Sequence, residues 1–195
     1  MSTQKISVII PCLWDRQEFI DLTYKCVSSM GNVGQVLIVA DNKGYAENVN
    51  VGLKEASGDV LIICNNDIEF IQPDWLKHLL KPLEIGYDIA SIRTTDSDGW
   101  TTKDVITEGN KFGSLWAMKR NVYDTIGGLD ESFGKGYFED LDYQKRAEDS
   151  GFRVAKNHAG IVEHIGKATF RVVDPGDTSF QEAKEKFIYK WGKVW

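Results

Sequence analysis

The sequence lacks the features that mark disulfide-rich, broadly nucleic-acid-binding and dinucleotide-binding proteins. Its three cysteines are odd in number and show no CxxC spacing, which argues against a disulfide framework and favours a reducing compartment. The 23 basic residues are outnumbered by 29 acidic ones and form no Lys/Arg-rich run, so broad attraction to nucleic acid or anionic lipid is not expected. No GxGxxG follows the first apolar strand, which argues against a dinucleotide-binding dehydrogenase.

Long apolar runs are also missing. The four-residue run that ends at Pro11 is too short for a signal peptide, and no later run approaches the length of a membrane span. We therefore expect a cytoplasmic protein with no membrane span. Cys26 and Cys64 fall on a predicted helix and a predicted strand, where we expect them to act as small core residues.

The apolar residues that are present predict one α/β domain. A chain of 195 residues, 42% of them hydrophobic, is long enough for a single sizeable core, and no linker or repeat divides it. Three apolar strands, at residues 6–10, 36–40 and 60–64, alternate with two amphipathic helices, the first of which we expect Asp15 to cap. This alternation is typical of a parallel, Rossmann-like sheet.

Polar residues follow each of these strands. The first strand runs into Pro11 and Asp15, the second into Asp41, and the third into Asn65-Asn66-Asp67. Open α/β sheets bind ligands at the carboxyl ends of their strands, and a buried carboxylate needs a cation, hydrogen-bond donors or solvent. Asp67 is therefore a candidate ligand for a divalent metal on a phosphorylated substrate. An Asn/Asp turn that closes the strand is the structural alternative.

A second group of acids opens a helix predicted over residues 139–150. Asp142 and Arg146 are four residues apart, so we expect an ion pair along the helix. Asp140 lies on another side of the helix and is free to face a cleft, although acids in a first helical turn are also stabilised by the helix dipole. Two short strands, 152–155 and 161–164, follow, and the second ends at His164. Residues 93–112 are predicted to form an irregular hairpin or loop, and the tail from Ser179 an amphipathic helix.

Taken in order, these motifs resemble a family 2 glycosyltransferase of the GT-A fold, most closely its rhamnosyltransferase-like branch. The matching segments are Ser7-Val-Ile-Ile-Pro11, Val39-Ala-Asp-Asn-Lys-Gly44, Asn48-Val-Asn-Val-Gly-Leu-Lys-Glu-Ala-Ser-Gly58, Asn65-Asn66-Asp67, Gly127-Gly-Leu-Asp-Glu-Ser-Phe133 and Phe138-Glu-Asp-Leu-Asp-Tyr143. The resemblance implies a single GT-A domain over residues 1–195, with a mostly parallel central sheet flanked by helices. It also implies a nucleotide-binding half at 1–92 and an acceptor and catalytic half at 93–195.

The resemblance further implies inverting transfer of a sugar from a nucleotide diphosphate to the hydroxyl of an acceptor, a carbohydrate or another hydroxyl-bearing molecule. The implied donor-binding positions are Pro11, Leu13, Asp15, Asp41, Asn48, Asn65 and Asn66. A carboxylate at Asp41 could accept the imide N–H of uracil or thymine, which favours UDP or dTDP, although guanine also offers a ring N–H.

The implied metal site departs from the family pattern. The family's DxD motif falls on Asn65-Asn66-Asp67, which leaves Asp67 as its one charged ligand. His164 matches a downstream position that completes the coordination in metal-dependent members. Mg²⁺ or Mn²⁺ would bridge the diphosphate oxygens, and an imidazole nitrogen favours Mn²⁺.

The implied catalytic residues are the adjacent acids at the start of the predicted helix. Asp140 matches the general base that takes the acceptor proton, and Glu139 would orient the acceptor. Because the first Asp of DxD is missing, a catalytically weak or inactive nucleotide-sugar-binding module of the same fold is the alternative. A nucleotidyltransferase would share the sheet and the metal, but the basic, Gly-rich phosphate loop usual near its N-terminus is absent.

Overall fold

The structure is a computed structural model that describes residues 4–40, 44–96, 105–109, 113–166, 176 and 178–193. The first part of the chain alternates strands and helices: β1 Ile6–Pro11, α1 Gln17–Met30, β2 Gln35–Val39, α2 Tyr45–Glu55 and β3 Val60–Cys64. Strand β1 lies between β2 and β3 and pairs parallel with both. Every residue of β3 is buried, as expected for a strand whose two faces are both covered by helices.

The second part of the chain adds five strands, three helices and a short 3-10 turn. These are β4 Ile68–Glu69, α3 Trp75–Glu84, β5 Ile89–Thr94, β6 Ile106–Glu108, β7 Leu115–Lys119, α4 Arg120–Ile126, the 3-10 turn Glu131–Phe133, α5 Glu139–Asp149 and β8 Val154–His164. A further helix, α6, spans Thr178–Trp191. None of the helices within the described residues is long and apolar enough to cross a membrane.

All eight strands form one mixed sheet in the order β2-β1-β3-β7-β5-β8-β4, with β6 paired to β8. The expected single α/β domain is confirmed, but parallel pairing is confined to β1–β2, β1–β3 and β5–β8. Strand β7 runs antiparallel to both β3 and β5. A buried apolar strand shows the same residue pattern in either direction, so the sequence does not reveal this reversal.

Two local predictions are corrected by the structure. The cap of α1 is Arg16, with no side-chain cap hydrogen bond, so the expected cap by Asp15 is wrong. The two short strands predicted at 152–155 and 161–164 are one strand, β8. Its pairing with β5 jumps from Ile92↔Asn157 to Arg93↔Ile161, and this bulge accounts for the break in the apolar pattern.

Apolar residues fill both faces of the sheet. Helices α1 and α3 cover one face, and α2, α4 and α5 cover the other. A third, small cluster consists of Phe133, Phe138, Ala183 and Phe187. It joins α6 to the loop that leads into α5, so the last helix packs against the segment that carries the candidate catalytic acids.

Candidate active site

Asp67 and His164 meet at one end of the sheet. Strands β4 and β8 pair with Ile68 opposite His164, and the backbone N–H of Ile165 donates to the Asp67 carbonyl over 3.1 Å. This pairing brings His164 Nε2 to 3.2 Å from Asp67 Oδ1, with both side chains largely buried. The strand pairing thus unites two candidate metal ligands from distant parts of the chain.

The other nitrogen of the imidazole is held by two side chains. His164 Nδ1 lies 2.9 Å from Asp96 Oδ2 and 3.0 Å from Ser114 Oγ. An ionised carboxylate only accepts hydrogen bonds, so Nδ1 carries the hydrogen. In the neutral ring this leaves the lone pair on Nε2, on the side of Asp67, which is the arrangement of a metal-binding histidine supported by a carboxylate.

The charge around His164 favours its protonated form in the metal-free protein. Burial acts to lower its pKa, but hydrogen bonds and charge from Asp67 and Asp96 outweigh burial and raise it. A bound cation would replace this proton, since a metal ligand must be the neutral imidazole. Proton and metal therefore compete for the same nitrogen.

Asp67 and His164 have the spacing needed to share one ion. Adjacent ligands on an octahedral ion with bonds of about 2.0–2.1 Å lie roughly 3 Å apart, close to the 3.2 Å between Oδ1 and Nε2. These two side chains do not make a complete ligand set. The described residues contain no group of three or more His, Cys, Asp or Glu placed to hold a metal. The remaining positions would fall to water or to oxygens of a bound diphosphate.

The two asparagines before Asp67 point to different surroundings. Asn66 is buried, and its Nδ2 lies 3.2 Å from Thr23 Oγ1 and 3.5 Å from the Phe19 carbonyl, so its amide ties the end of β3 to α1. Asn65 is half-buried and accepts a 2.9 Å hydrogen bond at Oδ1 from the Tyr45 hydroxyl. Only Asn65 of the pair thus contacts the α2 side of the site.

The predicted nucleoside contacts are only partly brought together. Pro11 is buried at the end of β1, Leu13 is half-buried and Asp15 is exposed. Asn48 is buried on α2, where its Nδ2 donates to the Cys12 carbonyl over 3.3 Å and its Oδ1 has no hydrogen-bond partner within the part of the chain that the structure describes. Asp41 lies outside the described residues, so its predicted base contact stays a prediction.

The Tyr45 hydroxyl, which donates to Asn65 Oδ1, is within electrostatic reach of Asp67 and of the two acids at the start of α5. Burial raises its pKa well above the ordinary value, and the negative charges of Glu139, Asp140 and Asp67 raise it further. Carboxylates from the end of β3 and from the start of α5 thus both act on this one hydroxyl. Tyr45 is therefore protonated and able to donate at neutral pH.

The two acids at the start of α5 differ in environment. Asp140 is half-buried, and its Oδ1 accepts the backbone N–H of Leu141 over 2.8 Å. Glu139 is buried, and its Oε2 has no hydrogen-bond partner among the described residues. Burial, then the charges of Asp140 and Asp142, raise the pKa of Glu139 to about 8. Asp140 is thus accessible, whereas Glu139 is an uncharged hydrogen-bond donor at neutral pH.

The backbone before these acids is unusual. Tyr137 and Phe138 both have left-handed backbone angles, with φ of 72° and 66°, which is costly for aromatic residues and is retained only where packing enforces it. Packing does so here, because Phe138 belongs to the cluster under α6. The start of α2 also lies close to the loop before α5, since a Cβ on Gly44 would lie 2.5 Å from the Gly134 carbonyl oxygen.

Fold and site together define a glycosyltransferase of the GT-A class. The family model described as "Glycosyl transferase family 2" matches residues 31–139, so the chain belongs to glycosyl transferase family 2. Its expected identity as an enzyme that uses nucleotide sugars agrees with this membership. The rhamnosyltransferase-like branch stays a prediction. No curated protein matches the chain at the sequence level.

Solved structures share the fold at low sequence identity. Glucosyl-3-phosphoglycerate synthase from Mycobacterium tuberculosis, in complex with Mg²⁺ and UDP, aligns with a TM-score of 0.64 and 13% identity, covering 99% of this chain and 81% of that one. The same enzyme in complex with Mn²⁺, UDP and phosphoglyceric acid also gives 0.64 and 13%, covering 99% and 80%. The catalytic domain of Drosophila β1,4-galactosyltransferase 7, in complex with xylobiose, gives 0.60 and 16%, covering 84% and 71%.

Three site residues are missed by the sequence reasoning: Tyr45, Asp96 and Ser114. Tyr45 lies at helical spacing with Val49 and Leu53, a pattern that indicates a core position on α2 and not a site residue. Asp96 follows the buried strand β5, so the rule that singles out acids after apolar strands could have found it. Ser114 carries no such signal, because its role depends on how β7 is inserted in the sheet.

Proposed function

We propose that the protein catalyses inverting, metal-dependent transfer of a sugar from UDP or dTDP to an acceptor hydroxyl, with Asp140 as the general base. The observation that carries the proposal is the pairing of Asp67 with His164 in the same region as the accessible carboxylate of Asp140. The complexes of the M. tuberculosis enzyme with UDP and Mg²⁺ or Mn²⁺ support a divalent ion and a uridine donor.

In this proposal Asp67 and His164 stabilise the leaving group through a bound metal ion. A divalent ion held by Asp67 and His164 would neutralise charge on the departing diphosphate. Asp96 and Ser114 hold the imidazole so that Nε2 faces this position. The imidazole nitrogen supports the expected preference for Mn²⁺ over Mg²⁺. The donor contacts fall mainly in residues 1–92, whereas 93–195 supply His164 and the acids of α5.

Asp140 acts on the acceptor as the general base. It takes the hydroxyl proton as the acceptor oxygen forms a bond to the anomeric carbon, and the bond from that carbon to the phosphate oxygen breaks, its electron pair leaving with the diphosphate. The start of α5 favours a carboxylate at Asp140, because the helix dipole and the Leu141 N–H both stabilise negative charge there. In this proposal Glu139, protonated and adjacent to Asp140, donates a hydrogen bond that orients the acceptor.

The test is turnover of the variant Asp140→Asn with a panel of sugar nucleotides and Mn²⁺. We expect donor hydrolysis and transfer to fall on the order of 10²–10⁴-fold, with unchanged UDP affinity. The matched control is Asp149→Asn, which removes an exposed carboxylate at the other end of the same helix. Unchanged turnover in Asp140→Asn would remove the proposed base.

A nucleotide-sugar-binding module without catalysis is the second candidate. It is favoured by Asn65 in place of an acid and by the absence, among the described residues, of three clustered metal-ligating side chains. This candidate predicts Mn²⁺-dependent binding of UDP with no hydrolysis of any donor in the panel. The same assay therefore separates the two candidates.

A further inference from the structure

We infer that Tyr45 is a positioning residue that turns Asn65 into a hydrogen-bond donor to an oxygen of the nucleoside diphosphate, in place of the metal-ligating acid usual at that position. The inference rests on the proposed nucleotide-sugar function and specifies how this chain binds its donor. It starts from the 2.9 Å hydrogen bond between the Tyr45 hydroxyl and Asn65 Oδ1.

The first step concerns the direction of this bond. The phenol is protonated at neutral pH, because burial and nearby carboxylates oppose its ionisation. A protonated hydroxyl donates to the amide oxygen, and an asparagine side chain that offers its oxygen to one partner turns its NH₂ group the other way. The bond to Tyr45 thus selects one of the two orientations of the Asn65 amide.

The second step concerns the amide nitrogen. No described residue accepts a hydrogen bond from Asn65 Nδ2, whereas the backbone of Asn65 is tied down by its N–H, which donates to the Ser114 carbonyl over 2.9 Å. The side chain is half-buried. Asn65 therefore presents a fixed and unused donor at the carboxyl end of β3, two residues before Asp67.

The third step concerns what such a donor recognises. An amide N–H cannot coordinate a cation but donates readily to an anionic or hydroxyl oxygen. With Asp67 and His164 assigned to the metal, the ligand oxygens left for Asn65 are those of the diphosphate or the ribose. Fixing the amide in advance removes the entropy cost of orienting it when the nucleotide binds.

The experiment measures UDP affinity by isothermal titration calorimetry in EDTA, so that no metal contributes. If the wild type binds UDP only with Mn²⁺, the same variants other than Asn65→Asp are compared at saturating Mn²⁺. Asn65→Asp keeps an oxygen acceptor for the Tyr45 hydroxyl but removes the Nδ2 donor, and we expect it to weaken UDP binding about tenfold, as does Asn65→Ala. Tyr45→Phe should weaken binding about threefold to fivefold in the wild-type background and have no effect in the Asn65→Ala background. Thermal unfolding of each variant reports whether it is folded.

The outcomes test the inference about Tyr45 and Asn65 separately from the proposed function. Equal losses from Tyr45→Phe in both backgrounds would show that the tyrosine does not act through Asn65, and full UDP affinity in Asn65→Asp would show that Nδ2 makes no contact. Either result overturns the inference and leaves the proposed function intact. A wild-type protein that binds no sugar nucleotide even with Mn²⁺ would overturn both. A loss seen with UDP and not with uridine assigns the contact to the diphosphate, and a loss with both assigns it to the ribose.

Discussion

Trp191, in the last helix, donates a 2.9 Å hydrogen bond from its indole nitrogen to Asp142 on the helix that carries the candidate base. Asp142 is fully buried and also accepts from Arg146 Nε at 2.9 Å and Lys190 Nζ at 2.7 Å. The predicted pairing of Asp142 with Arg146 is therefore confirmed, within a larger network. Helix α6 thus holds the start of α5 in place by charge as well as by its apolar cluster.

This network leads to a stability prediction. Asp142→Asn removes the buried carboxylate that Arg146 and Lys190 share, while Lys190 keeps its pair with Asp130. We expect the free energy of unfolding to fall by about 3 kcal/mol. Urea unfolding followed by circular dichroism measures the change. Asp149→Asn is the matched control, because it breaks the exposed Lys145–Asp149 pair on the same helix, where little change is expected. Equal effects of the two substitutions would contradict a structural role for Asp142.

A second prediction concerns the support of His164. Asp96→Asn replaces the carboxylate that holds Nδ1 with a neutral amide, so we expect Mn²⁺ affinity to fall by about 10–100-fold, as measured by the electron paramagnetic resonance signal of free Mn²⁺. Asp74→Asn is the matched control, because Asp74 forms a 3.0 Å pair with another histidine, His78, on α3. If both variants bind Mn²⁺ as the wild type does, Asp96 does not support a metal ligand.

Much of the fold is predictable from burial alone. The strand Val60–Cys64 has the bounds that the sequence predicts, since five apolar residues in a row, three of them β-branched, are typical of a strand covered on both faces. The direction of β7 and the bulge in β8 are not predictable in this way, because both depend on which strands become neighbours. Burial determines that a segment is a strand, whereas pairing determines where it lies.

The site shows the same division. Asp67 and His164 are predicted as partners by resemblance, and their contact depends on the short strand β4, which spans only Ile68–Glu69 and leaves almost no pattern in the sequence. Asn66 is predicted to contact the nucleotide sugar. Its amide nitrogen instead faces α1, because a side chain at a strand end can turn toward either neighbour. Residue type predicts the chemistry available to each position, whereas packing selects which atoms face the cleft.

A third prediction concerns the close approach of Gly44, at the start of α2, to Gly134 in the loop before α5. Gly44→Ala would place a methyl group 2.5 Å from the Gly134 carbonyl oxygen, so the loop before α5 must shift. We expect lower turnover and a loss of about 1–3 kcal/mol in stability, the range for overpacked sites. Gly176→Ala is the control, because among the described residues its new methyl group would meet only Thr178 Oγ1, at an ordinary 3.6 Å. Wild-type turnover in Gly44→Ala would show that the loop tolerates this shift.

The last prediction concerns the pH dependence of stability that Glu139 introduces. Its pKa is about 8 in the folded protein, against 4.5 ordinarily. Between these values the folded protein keeps a proton that the unfolded chain has lost, so stability falls as pH rises from about 4.5 to 8 and levels off above. The charged groups that act on Glu139 are Asp140 and Asp142 on its own helix, and Glu139 in turn raises the pKa of Tyr45 on α2.

Glu139→Gln removes this titration, since a glutamine is uncharged at every pH. We expect the variant to gain stability relative to the wild type as pH rises from 5 to 8, with the ratio of the two unfolding constants changing by at most about tenfold per pH unit. Urea unfolding at a series of pH values measures it, and other titrating groups, such as His164, cancel in the difference. The control is Glu185→Gln, at an exposed position on α6. A difference that does not vary with pH would mean that Glu139 is ionised in the folded protein and cannot donate a hydrogen bond to an acceptor.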